Sequence, residues 1–131
     1  MSELPILTLY DRFGGAAGIR RITQRFYELM DTLPEAAACR AIHPPSLEGS
    51  EEKLFWYLSG WLGGPQLFVE RRGAPMLRRR HMEAPIGKDE HDGWVLCFRR
   101  ALEENAPDPS LVEAIWPQIE GLAAHMRNRQ G

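Results

Sequence analysis

Cysteine is scarce in this chain of 131 residues: Cys39 and Cys97 are the only two. That is too few for a disulfide scaffold and suits a reducing cytoplasm. No uncharged apolar run approaches the roughly 18 residues of a membrane-spanning helix. Met1-Ser2-Glu3-Leu4-Pro5 lacks the basic-then-apolar layout of a secretory signal. Neither charge sign is in marked excess. Sixteen basic and eighteen acidic side chains give a formal charge of −2, so bulk electrostatics do not favour nucleic acid. Val and Thr are sparse and no run alternates over five or more residues, which leaves little for strands. No His pair has the spacing of a helical metal site, and Cys-x-x-Cys is absent. Ser59 lacks the Gly-x-Ser-x-Gly turn of a hydrolase. Neither Walker spacing nor Gly-x-Gly-x-x-Gly is there to cradle a phosphate.

What remains has the composition of a globular protein. Hydrophobic residues make up 44% and charged residues 26%, near the soluble average. The length fits one domain over residues 1–131, large enough to enclose one medium-sized ligand. Four Trp, five Phe and three Tyr are many large flat side chains for so short a chain; such residues line pockets or fill cores.

The spacing of apolar residues predicts an all-α domain of four main helices joined by short turns. In Gly15–Asp31, Ile19, Ile22, Phe26 and Met30 form one stripe. Ala36–Ile42 reads as a short helical piece that ends at His43-Pro44-Pro45. Ser46 or Ser50 is expected to cap a helix running through Trp61, with Leu47, Leu54, Leu58 and Trp61 aligned. Gly63-Gly64-Pro65 ends it. Pro75–His81 allows one or two turns, and Lys88–Asn105 is the strongest helix. Asp108-Pro109 starts the last one, expected to reach about Arg129. Pro117 inside it should cost about 3 kcal/mol or bend it.

One cluster stands out: Arg78-Arg79-Arg80-His81 sets three guanidiniums directly before an imidazole. Three readings are open. The run is a solvated basic face, or a polyanion patch. Alternatively the imidazole takes a metal inside a flat cofactor while the arginines pair with its carboxylates.

In this context the chain resembles a group II truncated haemoglobin. The resemblance is carried by Gly14-Gly15, Phe26-Tyr27, Trp61-Leu62-Gly63-Gly64-Pro65, Leu77-Arg78-Arg79-Arg80-His81, Asp92-Gly93-Trp94 and His125-Met126-Arg127-Asn128. It extends from about Leu9 to Arg127. It implies a two-over-two helical sandwich around haem b (iron protoporphyrin IX). His81 resembles the proximal iron ligand, and Arg80 and Arg78 the propionate partners. Phe68, Met76, Leu77, Ile119 and Met126 would line the haem. On the ligand side Tyr27 resembles the distal tyrosine, and Trp94 the tryptophan over the iron. His43 would be a third polar group, while Ser50, Leu54 and Phe26 complete that pocket. Met82-Glu83 departs from the Ala-Pro that many relatives carry after the proximal His, and Ala74 stands where a polar residue is common.

The function implied is reversible binding of O₂, and of CO and NO, in the cytoplasm. Phenol and indole donors over bound O₂ imply slow release, which argues against bulk oxygen transport. A second possibility is an enzyme, with NO dioxygenation or peroxide-dependent oxidation at the same haem and a reductase as partner. A third is a haem-free helical interaction domain, which would be colourless. A monomer and a homodimer are both compatible with the sequence. Either Tyr27 or His43 could occupy the sixth position of ferric iron.

Overall fold

The computed structural model describes residues 7–130. These form eight α-helices and no strand. Four are long: α2 (Gly15–Thr32), α4 (Glu48–Trp61), α7 (Lys88–Asn105) and α8 (Pro109–Met126). Four are short: α1 (Leu9–Arg12), α3 (Ala37–Ala41), α5 (Leu67–Arg72) and α6 (Leu77–Arg80). Helix α2 packs against both α4 and α7, and α7 against α8. Phe13, Ile19, Ile22, Phe26, Met30, Phe98, Leu102 and Ile119 are almost completely buried where these helices meet. The stripe expected on α2 is thus its buried face, and the all-helical expectation holds.

Local chemistry explains most boundaries. Thr8 caps α1 reciprocally: its hydroxyl accepts from the Asp11 N–H at 3.1 Å, and the Asp11 carboxylate accepts back from Thr8. Thr8 to Phe13 therefore form a single capped helical turn. Asp108 accepts from the Ser110 N–H at 2.9 Å, with Pro109 at the first helical position of α8. Helix α7 has the bounds its sequence predicts, and Glu90 accepts from the Gly87 N–H at 2.8 Å to close its first turn.

Several expectations need correction. Ser50 does not cap α4; it lies in the helix, after Leu47 at the N-cap. Ser46 contributes only a long bond, its hydroxyl accepting from the Glu48 N–H at 3.4 Å. The piece expected at Ala36–Ile42 splits into a 3-10 turn, Pro34–Ala36, and α3. Helix α5 lies where no element was expected. Helix α8 stops at Met126, because Asn128 and Arg129 both turn their N–H groups onto the Ile86 carbonyl, at 2.8 and 3.0 Å. It runs unbroken through Pro117. That residue is exposed, so the carbonyl left without its N–H partner is on the solvent face.

Candidate functional site

A cavity of about 740 Å³ opens between α2, α4, α7 and α8, with α5 and α6 along its mouth. His81 sits on one side of it, at the C-cap of α6. Its Nδ1 lies 2.6 Å from the Leu77 carbonyl oxygen. A carbonyl accepts only, so Nδ1 carries the proton and Nε2 is left with a lone pair. That is the tautomer a metal-ligating imidazole needs, with its outer hydrogen bond already in place.

The chain around His81 is held from two directions. Met76, which precedes α6, has left-handed backbone angles, φ 42° and ψ 50°, a conformation that costs a β-carbon residue of order 1–2 kcal/mol. Arg80 braces this kink. Its Nε donates to the Pro75 carbonyl at 2.7 Å, and one Nη donates to the carbonyls of Arg72 and Ala74 at 2.8 and 3.1 Å. From the other side Asn128 clamps the segment after the histidine. Its amide donates to the carbonyls of His81 and Ala84 at 3.2 and 2.9 Å, and its oxygen accepts from the Ile86 N–H at 2.9 Å.

Opposite stand the polar groups of the other wall. Tyr27 is buried, its ring edge-on to Phe26, with centroids 4.7 Å apart. Its hydroxyl donates to the Ser50 carbonyl at 3.3 Å. Burial pushes the phenol well above its ordinary range, so it stays an O–H donor. Trp94 is stacked on Phe98 at 4.9 Å and edge-on to Phe26 at 5.5 Å. On the same helix, Gly93 lets α7 come close to the Pro34–Ala36 turn and α3. A β-carbon there would lie 3.1 Å from Ala36 Cα and 3.2 Å from Cys39 Cβ. His43 faces Tyr27 with centroids 6.0 Å apart, and its Nδ1 lies 2.8 Å from the Cys39 carbonyl.

Most of the expected residues meet in this cavity: Tyr27, His43, Ser50, Leu54, Phe68, Met76, Leu77, Arg80, His81, Trp94 and Met126 line it. Three expected residues are not among its lining. Phe26 is fully buried behind Tyr27 and Trp94. Ile119 faces the core between Ile115, Leu102 and Phe98. Arg78 is exposed, and its guanidinium reaches the Met82 sulfur at 3.1 Å. Arg72, Arg79 and Lys53 line the cavity without having been expected there. Helical phase decides this: in a four-residue helix such as α6, run position alone does not tell which arginine turns inward. Among the described residues none of these three cations forms an ion pair.

The donor set suits an iron porphyrin. It offers one imidazole lone pair, apolar walls from Leu54, Phe68, Leu77 and Met126, and cations at the mouth for carboxylate arms.

Comparison with known proteins agrees. The sequence profile of the bacterial-like globins matches residues 8–128. Group 2 truncated hemoglobin YjbI of Bacillus subtilis (strain 168) is 33% identical over 106 residues, 78% of this chain and 80% of its own. A group II 2-on-2 hemoglobin from the plant pathogen Agrobacterium tumefaciens is 57% identical. Its structure superposes with a TM-score of 0.94, covering 99% of this chain and 100% of that one. A cold-adapted truncated hemoglobin from the Antarctic marine bacterium Pseudoalteromonas haloplanktis TAC125 is 41% identical, with a TM-score of 0.91, covering 94% and 99%. The chain belongs to the bacterial-like globin family, with the 2-on-2 fold of the group II truncated haemoglobins, a family that implies haem and the binding of gases.

Proposed function

We propose that the protein holds haem b in this cavity through His81 and binds O₂, CO and NO on the face lined by Tyr27 and Trp94. The observation that carries this reading is the bond between His81 Nδ1 and the Leu77 carbonyl, which leaves Nε2 as a free ligand inside the cavity. When bound, the haem supplies a ferrous iron that takes a diatomic ligand and passes part of its charge to O₂.

The protein's own groups do the rest. Arg79, Arg72 and Lys53 pair with the propionates at the mouth. Arg80 does so only in part, because two of its nitrogens already donate to main-chain carbonyls. Phe68, Leu77, Leu54 and Met126 exclude water from the ring faces. The Tyr27 hydroxyl, whose bond of 3.3 Å to the Ser50 carbonyl is long, would be the donor available to a gas ligand in the cavity. The Trp94 indole N–H, with no hydrogen-bond acceptor among the described residues, adds a second donor. Each charge-assisted bond in a dry pocket is worth about 1.5–3 kcal/mol. O₂, which gains negative charge, benefits more than CO. Slow O₂ release follows, which fits a sensor, a store or a reaction site better than a carrier. A reductase is the partner that the enzymatic alternative, NO dioxygenation at the same haem, would need.

Visible spectra of the purified protein test it. Ferric, ferrous, O₂ and CO forms should each give a distinct Soret band, and the O₂ form should revert on deoxygenation. His81→Gly should abolish stable haem uptake. A colourless native protein, or an unaltered Soret band in His81→Gly, would overturn the reading.

A further inference from the structure

We infer that the rim of the cavity mouth formed by residues 69–82 is a docking surface for a small acidic protein that carries one electron at a time. The inference rests on the haem reading above. Charge is unevenly spread along the chain. These 14 residues hold five arginines and one carboxylate, Glu70, a formal +4 in a chain of −2. The other 117 residues therefore carry −6. All five arginines are exposed, and among the described residues none of them forms an ion pair, whereas Arg20, Arg25, Arg40 and Arg99 all do.

A bound porphyrin does not account for this excess. It has two carboxylate arms, and Arg72, Arg79 and Lys53 already line the cavity to meet them. Arg71 and Arg78 do not line it. The Arg71 guanidinium lies over the Trp56 ring, 5.0 Å from its centroid, and that of Arg78 rests on the Met82 sulfur at 3.1 Å. Beside these cations three large apolar side chains stand open to solvent: Val69, Met76 and Met82, at 44%, 51% and 43% exposure. Among the described residues only Leu7 and Leu9 join them as exposed large apolar groups. The Arg80 bonds to the Arg72 and Ala74 carbonyls, at 2.8 and 3.1 Å, tie the end of α5 to α6, so the cations and the apolar groups share one rim.

A small apolar centre ringed by unpaired charge of one sign makes a weak contact whose encounter is steered by charge. Its position gives the partner's task. Gas binding of the kind proposed above needs ferrous iron, and the rim borders the opening of the cavity. There one electron leaves the carrier, which is oxidised, and reduces ferric haem to ferrous; no bond forms or breaks and no proton moves. The acidic remainder of the chain favours a compact partner. A lipid sheet or a nucleic acid extends past the rim and would meet that remainder, while a small protein touches the rim alone.

Two-iron ferredoxin, an acidic one-electron carrier, is the probe. Mixed in reduced form with the ferric haem-loaded protein without oxygen, it should move the Soret band to the ferrous position, at a second-order rate that falls steeply between about 50 and about 500 mM salt. In the double variant Arg71→Glu, Arg78→Glu the rate at about 50 mM salt should fall by about 10-fold or more, and at about 500 mM it should converge with that of the unmodified protein. The Soret band and O₂ dissociation should not change. Equal rates at low salt, or a difference that salt does not remove, overturns the inference. Amide NMR of the CO form of the unmodified protein, titrated with oxidised ferredoxin, tests the surface whether or not the variant folds. Shifts or broadening should be confined to residues 69–82 and their neighbours on α4; a perturbation centred elsewhere, or none, overturns it. No sedimentation with phosphatidylglycerol vesicles is expected at about 150 mM salt. Sedimentation that the double variant loses would give the rim to lipid and overturn the carrier. A chain that took up no haem would end both readings, and its missing Soret band distinguishes that failure from a lost docking surface, which leaves the band intact.

Discussion

The Asn128 side chain donates to the main-chain oxygen of His81 across 47 residues of sequence, at 3.2 Å. With its bonds to Ala84 and Ile86 it ties the end of the chain to the segment that follows the axial histidine. Asn128→Ala removes all three bonds and should lower stability by about 1–3 kcal/mol in urea unfolding. Asn128→Asp keeps the acceptor but turns a carboxylate onto two carbonyl oxygens, so it should be the worse of the two. A positioning role also requires a shifted iron–histidine stretch in the Raman spectrum of the ferrous protein. An unchanged frequency would make Asn128 a structural clamp alone.

Tyr27 and Trp94 approach the ligand side from different helices, so their effects are separable. Tyr27→Phe and Trp94→Phe should each speed O₂ dissociation by roughly 10–100-fold, the equivalent of one charge-assisted bond. CO dissociation should change much less. O₂ displacement by excess CO in stopped flow measures the first rate and CO displacement by excess NO the second, and an unchanged O₂ rate in the double variant removes the distal-donor argument.

Two helical glycines should respond to alanine with opposite signs. A β-carbon on Gly18 would lie 1.7 Å from the Phe13 carbonyl oxygen, so α1 and α2 would have to part. Gly18→Ala should cost several kcal/mol, at or beyond about 3 kcal/mol. Gly121 is exposed within α8, with nothing within 4 Å of such an atom. Gly121→Ala should therefore gain about 0.5–1 kcal/mol from helix propensity. Urea midpoints of the pair give a direct comparison.

Alkali should destabilise the protein through its buried acids. Burial pushes the Cys39 thiol up to about 12 and Cys97 up to about 11. Unfolded thiols titrate near about 8.5. Between those values the unfolded chain has released protons that the folded one retains, so stability falls as pH rises from about 9 towards 12. The raised Tyr27 phenol adds to the same slope. Replacing both cysteines with alanine should flatten it, and native Cys39 and Cys97 should react slowly with thiol reagents at pH 8.

Sequence reveals the parts of this molecule that repeat or punctuate. The α7 stripe, the Asp108-Pro109 start and the glycine breaks are short-range signals, and the helices follow them. Helix α5 is too short for periodicity to register. It follows a Gly-Gly-Pro break, buries Phe68, and is preceded by Gln66, whose amide bonds back to the Gly60 carbonyl at 3.0 Å. The inward turn of Arg79 rather than Arg78 depends on the phase of a four-residue helix set by Met76. The Asn128 clamp depends on three main-chain atoms more than 40 residues away, and the His43 tautomer on one, the Cys39 carbonyl oxygen. No composition or spacing carries that information.

The left-handed kink at Met76 bears on how the scaffold could be engineered. Glycine or asparagine would relax the backbone there and should make the chain sturdier by a fraction of a kcal/mol to about 1 kcal/mol. The same change would remove a thioether from the cavity wall just before the helix that ends in His81. Toughness and grip on the pigment are thus opposed at one residue, and a designer seeking a more heat-resistant version would do better to start elsewhere.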